Sequence, residues 1–268
     1  FVLILLFLII TKKPIVFKSQ YPLLTFTRVI LFFFGFSSFY VSLTVLPLGT
    51  ATALFFVTPF LITIFAHFFL KEEIGIRRWS AIVVGFIGVY ITLNPDFSNF
   101  NYLSLLPILC AFCYSLSMII IKKTSDKDSV YTQTFTFYIG AIILSIIFYF
   151  IIGDGQYNTS DHPASQFIFR EWFVDFNTNI LLMTATGVTA TLAFLFLFKA
   201  YSIASPSVVS PFEYSILFWS PLVGWLYFDE IPSLNTVIGI LIIVSSGIYI
   251  FMREKAQNQS IATEKPLR

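Results

Sequence analysis

A carboxylate, Glu213, lies well inside a stretch that is apolar enough to cross a lipid bilayer, SPSVVSPFEYSILFWSPLVGWLYFDE from residue 205 to residue 230, whose other two acids are at its very end. An ionised side chain at the bilayer centre costs about 2.5–3.5 kcal/mol on insertion scales, so it is rarely kept for packing alone. Pro206 and Pro211 precede it and Pro221 follows, so the helix is predicted to bend or break near Glu213. We expect Glu213 to face a central cavity, where it binds a cationic group or carries a proton. The alternative is that the helix starts later and Glu213 lies near the cytoplasmic interface.

Other polar side chains in apolar stretches are candidates for contacts with the same ligand. Tyr214 adjoins Glu213, and Trp219 follows it by about two helical turns, where its ring can stack on a ligand. Small polar side chains also serve helix packing in lipid, which is the alternative for the hydroxyl-bearing candidates. These candidates are Tyr40, Tyr114 and Ser115.

Two basic side chains near the ends of apolar runs have two interpretations. Arg28 can bind a carboxylate of a ligand, or its long side chain can extend to the cytoplasmic headgroups. Lys199 lies at a helix end, where extension to the interface is the simpler interpretation.

Several kinds of chemistry have no residues to perform them in this sequence. Cys110 and Cys113 lie within an apolar run without a partner set of histidines and cysteines, so they indicate packing, not a metal site. A phosphate-binding glycine-rich loop and the hydrolase motifs Gly-x-Ser-x-Gly and His-Glu-x-x-His are absent. We therefore expect no cofactor, no metal, no enzymatic activity and no nucleic-acid partner.

The composition is that of a membrane protein with several spans. Hydrophobic residues make up 57% of the 268 residues and charged residues 11%, whereas soluble domains carry about 25% charged residues. Only helices satisfy an open backbone within lipid, so an all-α polytopic fold is predicted. After a short apolar run at 1–10, eight runs are long enough to cross the bilayer: 23–45, 50–70, 79–93, 102–121, 130–152, 179–200, 208–228 and 236–252.

The distribution of basic residues predicts the orientation of these runs. If residues 11–22 are cytoplasmic, all but one of the 16 lysines and arginines fall on or near the cytoplasmic side, and Arg170 is the exception. Such a bias is typical of inner-membrane proteins, whose cytoplasmic segments are enriched in Lys and Arg. We therefore expect a multi-pass protein of the inner (plasma) membrane with a cytoplasmic C-terminus.

An internal repeat relates the two halves of the chain. Residues 70–92 read LKEEIGIRRWSAIVVGFIGVYIT, and residues 228–251 read FDEIPSLNTVIGILIIVSSGIYIF. Each has an acidic turn, a polar stretch and a span with Gly-x-Tyr-Ile near its end, at an offset of 158 to 159 residues. The predicted topology places the two acidic turns on opposite sides of the membrane. The repeats are therefore inverted, as in many secondary transporters.

On these residues the chain resembles the EamA-type exporters of the drug/metabolite transporter superfamily. The similarity includes YVSLTVLPLGTATALFFVTP at 40–59 and KAYSIASPS at 199–207, and it covers about residues 28–252. It implies inverted five-helix repeats of a ten-helix transporter, with helix 1 and most of helix 2 missing. The implied boundaries are a partial first repeat at 1–95, a second repeat at 101–252 and a cytoplasmic tail at 253–268. The context of Arg28 and of Arg77-Arg78-Trp79 is similar to the branch that includes S-adenosylmethionine uptake carriers.

The resemblance and the residues together predict a secondary transporter of small metabolites that works by alternating access. Export of amino acids or related compounds is the leading interpretation, and uptake of S-adenosylmethionine or a similar nucleoside-like cation is the alternative. A lipid-linked sugar flippase or a membrane scaffold is the alternative of another class. The expected partners are a small-molecule substrate and the lipid bilayer, with protons as a candidate coupling ion and a homodimer left open.

Overall fold

A computed structural model of the chain describes residues 5, 9, 19–72, 75–94, 101–174 and 176–256. These residues form helices joined by short turns and contain no β-strand. Two 3₁₀ segments, Tyr102–Leu105 and Ser210–Ser215, precede longer helices. The α-helices are α1 Pro22–Ser42, α2 Leu48–Phe55, α3 Thr58–Leu70, α4 Ile76–Leu93, α5 Leu106–Thr124, α6 Val130–Ile152, α7 Pro163–Phe169, α8 Phe176–Ile203, α9 Pro206–Val209, α10 Ile216–Phe228 and α11 Leu234–Ala256.

The predicted all-α polytopic fold is confirmed. Among the described residues, five helical stretches are long and apolar enough to cross a membrane, and shorter apolar stretches occupy Trp79–Leu93 and Leu234–Tyr249. The five are Pro22–Ser42, Leu48–Leu70, Tyr102–Thr124, Val130–Ile152 and Asn179–Ile203. The apolar run at 1–10 lies outside the described residues except for Leu5 and Ile9.

Two of the predicted spans are broken helices. The stretch from 48 to 70 is interrupted between α2 and α3, where Pro59 is close behind the break. The stretch from 206 to 228 consists of α9, the 3₁₀ segment Ser210–Ser215 and α10. A proline lacks the N–H that would continue the helical ladder, so the predicted break near Glu213 follows from the local sequence and is confirmed.

Each of the two broken helices ends in a turn of the same type. Lys71 after α3 and Asp229 after α10 adopt left-handed backbone conformations, with φ of 58° and 54°. In the first turn the N–H of Glu72 donates to the carbonyl of Ala66 at 3.2 Å. In the second turn Glu230 and Gly224 make the equivalent bond at 3.1 Å. These bonds form a Schellman-type cap, and the two turns are related by the same 158-residue offset as the acidic turns in the sequence.

The two broken helices run in opposite directions beside each other. The carboxylate of Glu230, at the end of the second, accepts a hydrogen bond from the backbone N–H of Leu48, at the start of the first, at 2.7 Å. The carboxylate of Glu72, at the end of the first, accepts one from the hydroxyl of Ser205, just before the second, at 2.6 Å. Each helix therefore begins where the other one ends, as the inverted repeat predicts.

Helices α4 and α11 form a close seam between the two halves. Gly88 and Gly239 face each other there, because a Cβ on Gly88 would lie 3.0 Å from the carbonyl oxygen of Gly239. Thr92 donates its hydroxyl back to the Gly88 carbonyl at 3.0 Å. Apart from this seam, a hydrophobic core that contains Phe32 and Phe198 forms where α1, α5, α6 and α8 pack together.

Candidate functional site

Glu213 lies in the 3₁₀ break of the second broken helix and is held by two tyrosines. The hydroxyl of Tyr201, at the end of α8, donates to Glu213 Oε1 at 2.5 Å. The hydroxyl of Tyr114 on α5 lies 3.1 Å from each carboxylate oxygen. Bonds from neutral donors to a carboxylate are charge-assisted and stronger than neutral pairs. The carboxylate side chain is partly buried, whereas both tyrosines are buried.

The partners of Glu213 show how deep it lies. Tyr114 is the ninth of the nineteen residues of α5, so its hydroxyl extends from the middle of a membrane-spanning helix. Glu213 itself follows Ser205 by eight residues, or about 14 Å when the α-helical and 3₁₀ rises are combined. Glu213 therefore lies near the middle of the helices that hold it, and its depth in a bilayer stays a prediction.

Aromatic rings pack against Tyr114, one of the two tyrosines that hold this carboxylate. The ring of Phe55, at the end of α2, lies 5.4 Å from that of Tyr114 in an edge-to-face arrangement. Phe32 on α1 lies 5.8 Å from Tyr114 and 5.9 Å from Phe198. The faces of such rings carry partial negative charge and attract cations. We call Glu213, Tyr114, Tyr201, Phe55 and Phe32 the acidic–aromatic site.

Arg28 lies on the other side of the same aromatic cluster. Its side chain is 1% exposed, and one terminal nitrogen donates to Gln133 Oε1 on α6 at 3.0 Å while the other donates to the backbone carbonyl of Gln133. The guanidinium carbon lies 5.2 Å from the Phe198 ring centre. The guanidinium is therefore enclosed between helices and does not extend to the protein surface. Its Nε has no hydrogen-bond partner among the described residues.

The two charged groups are positioned by neighbouring turns of α8. Phe198 contacts Arg28 and Tyr201 binds Glu213, and the two residues are three positions apart on one helix. Residues at this spacing share one helix face. A carboxylate, an arginine and a set of aromatic rings thus line one region between α1, α5 and α8. This combination can bind a small molecule that carries a cationic group and an aromatic ring.

Three of the predicted site residues lie elsewhere. Tyr214 is 6% exposed and packs against Phe56 with ring centres 5.6 Å apart, in the core beside α11. Trp219 and Tyr40 are 57% and 52% exposed on the outer surface of the helices. Their rings contact neighbours on their own helices, such as Phe218 and Phe39, at 5.2 Å and 6.2 Å.

Ser115 is buried beside the acidic–aromatic site but uses its hydroxyl for helix packing. It donates to the carbonyl of Ala111 at 2.6 Å and lies 3.3 Å from the carbonyl of Thr58. The second contact joins α5 to the first broken helix near its interruption. Ser115 therefore fits the packing alternative, while Tyr114 is the candidate that meets Glu213.

Two contact residues were missed in the sequence, Tyr201 and Gln133. Tyr201 carries a hydroxyl at the end of an apolar run, twelve residues before Glu213. This position was the available signal that it could contact Glu213. Gln133 is a buried amide within the first turns of α6, opposite Arg28. A buried glutamine in an apolar run is costly unless it is bonded, which would have indicated a polar partner.

The cavity predicted in front of Glu213 stays a prediction. A cavity of about 90 Å³ lies beside Pro47 and Glu230, and another of about 310 Å³ lies beside Tyr138 and Trp172. Neither is lined by Glu213, whose oxygens meet the two tyrosine hydroxyls instead. We call this pairing of Glu213 with Tyr114 and Tyr201 the closed arrangement of the site.

Comparison with known proteins gives a consistent result across the chain. The model of the EamA-like transporter family matches residues 1–94 and 102–252. An S-adenosylmethionine uptake transporter of Rickettsia felis is 32% identical over 238 residues, which cover 89% of this chain and 74% of the relative. A riboflavin transporter of Vibrio cholerae is 32% identical over 213 residues, or 80% and 65% of the two chains.

Two further proteins are similar at lower identity. A pseudopaline exporter of Pseudomonas aeruginosa is 25% identical over 211 residues, which cover 78% of this chain and 68% of the relative. A solved crystal structure superposes with a TM-score of 0.63 over 93% of this chain and 83% of its own, at 14% identity. At that identity the superposition shows the fold alone.

Proposed function

Because the chain belongs to the EamA-like transporter family, and is thus a multi-pass membrane protein of a transporter family, we propose that it is a secondary transporter of a small cationic metabolite. The observation that carries the proposal is the carboxylate of Glu213, held by Tyr114 and Tyr201 among apolar helices, with the rings of Phe55 and Phe32 packed against Tyr114. S-adenosylmethionine is the first substrate to test. It combines a sulfonium cation with an aromatic base, and relatives at 32% identity are named for its uptake.

The proposed binding step uses the side chains of the acidic–aromatic site. A sulfonium or ammonium group approaches Glu213, whose attraction for it is strong because the surroundings are apolar. The rings of Phe55 and Phe32 face the same region and favour a cation or a flat base. A substrate carboxylate would meet the Nε of Arg28 across the aromatic cluster.

The proposed transport step is alternating access. The two broken helices run antiparallel with Glu213 at the interruption of one of them, which is the arrangement found at substrate sites of transporters with inverted repeats. Movement of the two halves about this region exposes the site to one side at a time. We propose the proton as the coupling ion. Glu213 carries it when the cationic substrate is absent, because one carboxylate can bind either a proton or the cationic group.

A second candidate function is export of an amino acid, which the sequence analysis placed first. The specific observation in its favour is the presence of opposite charges, Arg28 and Glu213, on two sides of one aromatic cluster. An amino acid presents a carboxylate and an ammonium group to such a pair. The pseudopaline exporter among the relatives shows that the two directions of transport occur within this range of similarity.

Charge distribution supports a cytoplasmic location for residues 253–268 and for the turn at Glu72. Almost all lysines and arginines lie in segments on that side of the proposed topology. A C-terminal alkaline phosphatase fusion is expected to be inactive, and a C-terminal fluorescent protein fusion is expected to be bright. The opposite pair of results would reverse the orientation.

The function is tested by uptake of labelled S-adenosylmethionine into proteoliposomes with and without a pH gradient. Glu213→Gln removes the negative charge with little change in shape, and it is expected to lower uptake by about tenfold or more, the loss typical of one hydrogen bond to a charged group. The same exchange at Glu171→Gln, which is exposed in the loop after α7, is the matched control and is expected to keep uptake.

Three outcomes would separate the proposals. Uptake that is unchanged in Glu213→Gln, with unchanged response to the pH gradient, would refute the role of this carboxylate. Absence of S-adenosylmethionine uptake together with counterflow of an amino acid would favour the second candidate. Movement of a fluorescent lipid-linked sugar without movement of either solute would identify a flippase.

A further inference from the structure

We propose that Glu72 and Glu230 are the two gate residues of this transporter, each closing one end of the path to the acidic–aromatic site. Glu72 holds Ser205 at one end and Glu230 holds the N–H of Leu48 at the other. The meaning of these bonds as gates rests on the proposed transport function. The contacts themselves, and the accessibility they control, can be measured without a substrate.

The internal repeat relates the positions of the two contacts. The offset of 158 residues that carries Glu72 onto Glu230 also carries Leu48 onto position 206, next to Ser205. Each carboxylate thus emerges from the turn that ends one broken helix and bonds to the first residues of the other. A pair of contacts that obeys the repeat in both directions is a feature of the architecture, not an isolated surface bond.

The two contacts lie at opposite ends of the same helices. Leu48 begins and Leu70 ends a stretch of 23 residues, which is about 35 Å at the rise of an α-helix. This length matches the thickness of a bilayer, so one contact lies near each face of the membrane. On the proposed topology, the Glu72–Ser205 contact is cytoplasmic and the Glu230–Leu48 contact is external.

The acidic–aromatic site lies between the two contacts. The 158-residue offset relates Phe55, at the interruption of the first broken helix, to Glu213, at the interruption of the second. Both meet Tyr114, at 5.4 Å between ring centres and at 3.1 Å to the hydroxyl. When one contact opens, the helix ends at that face can separate while the other contact still holds the opposite face. Both contacts are formed in this conformation, which agrees with the closed arrangement around Glu213.

The chemistry of the contacts suits a reversible gate. Glu230 accepts from a backbone N–H in the first turn of α2, where the helix dipole favours a negative charge. Glu72 accepts from a hydroxyl, and both carboxylates are partly buried. A charge-assisted bond of this kind is strong enough to bias a conformational equilibrium and weak enough to be broken in a transport cycle.

Each gate can be opened by removing its donor, with a matched control that leaves the donor in place. Ser205→Ala removes the hydroxyl, and Ser205→Thr keeps it. Leu48→Pro removes the N–H, and Leu48→Ala changes the side chain while keeping the N–H. Proline is tolerated at the first position of a helix, and Pro47 already has the extended ψ of 146° that a following proline requires.

The measurement is the labelling rate of a reporter cysteine by a membrane-impermeant maleimide. The reporter is Phe55→Cys in a background that carries Cys110→Ala and Cys113→Ser, and right-side-out and inside-out vesicles present the two faces. Ser205→Ala is expected to raise labelling from the cytoplasmic face alone by about tenfold, the shift typical of losing one charge-assisted bond. Leu48→Pro is expected to raise it from the external face alone, and both control variants are expected to label like the parent.

Labelling that stays unchanged, or that rises equally from both faces, would overturn the proposal. The loss of a bond with only a structural role is expected to loosen the protein equally toward both faces of the membrane. Should Leu48→Pro fail to reach the membrane, Glu230→Ala removes the acceptor of the same bond and carries the same expectation. Uptake is measured in protein that keeps Phe55, because Phe55 belongs to the proposed site. Side-specific labelling of the reporter variants, together with no uptake of any tested solute by protein that keeps Phe55, would keep the gates and refute the transport proposal. The converse result would keep transport and refute the gates.

Discussion

The seam between α4 and α11 gives a quantitative test of how the two halves are joined. A Cβ built on Gly239 would lie 1.9 Å from the hydroxyl oxygen of Thr92 and 2.7 Å from the carbonyl oxygen of Gly88. The hydroxyl can rotate away, but the carbonyl belongs to the backbone of α4. Gly239→Ala therefore forces the two helices apart by several tenths of an ångström along a buried contact.

The size of the effect follows from comparison with Gly187→Ala. Gly187 is exposed on α8, and a Cβ there would meet nothing within 4 Å. Both substitutions gain about 1 kcal/mol of helix propensity, so their difference isolates the clash at Gly239. Overpacking of a close contact costs about 1–3 kcal/mol. At about 2–4 °C per kcal/mol for a chain of this size, Gly239→Ala is expected to melt about 2–12 °C below Gly187→Ala.

The assay is size-exclusion chromatography of heated aliquots of detergent-solubilised protein, followed by a C-terminal fluorescent fusion. The double variant Gly239→Ala/Thr92→Ala is expected to recover little of the loss, because the Gly88 carbonyl remains in place. The reasoning is refuted if Gly239→Ala melts at or above Gly187→Ala. Full recovery in the double variant would show that the hydroxyl, and not the backbone of α4, limits the approach.

Three further predictions concern single side chains. Tyr201→Phe is expected to raise the KM for uptake by about tenfold or more, and Tyr114→Phe is expected to raise it by less. The reason is that the Tyr201 hydroxyl lies 2.5 Å from the Glu213 carboxylate, whereas the Tyr114 hydroxyl lies 3.1 Å from it. An equal effect of the two substitutions would contradict this order. Arg28→Lys is expected to lower the melting midpoint, because an ammonium cannot reproduce the two bonds to Gln133, and an unchanged midpoint would contradict it. Lys199→Gln is expected to change uptake by less than about twofold, because this side chain is exposed, and a larger loss would place it in the site.

The helices and their interruptions could be predicted because they depend on local chemistry. Apolar runs about 20 residues long must be helical in lipid, and prolines stop the ladder wherever they occur. The acidic turns at Glu72 and Glu230 were visible as a repeat, and the structure shows that they adopt one backbone geometry. The centre of the site, Glu213, was identified by the cost of a charge in an apolar helix.

The rotation of each helix could not be predicted in the same way. In lipid both the outer and the inner faces of a helix are apolar, so hydropathy does not say which face turns inward. Tyr214 and Trp219 were therefore assigned to the site from their closeness to Glu213 in sequence, whereas the structure turns them to the core and to the outer surface. Tyr201 was missed for the complementary reason, since its contact with Glu213 depends on how α8 packs.

The repeat is preserved at the two ends of the broken helices and altered at their middle. Glu72 and Glu230 occupy equivalent positions and both bond to the start of the other broken helix, Glu230 to a backbone N–H and Glu72 to a hydroxyl. The equivalent positions at the interruptions hold different side chains, because Glu213 in one half corresponds to Phe55 in the other. Alternating access requires two ends of similar stability, so that neither the inward-open nor the outward-open state is trapped. In the proposed mechanism, one asymmetric molecule meets an acid from one repeat and an aromatic ring from the other. The difference between Glu213 and Phe55 provides this asymmetry, while the two ends keep equivalent acids.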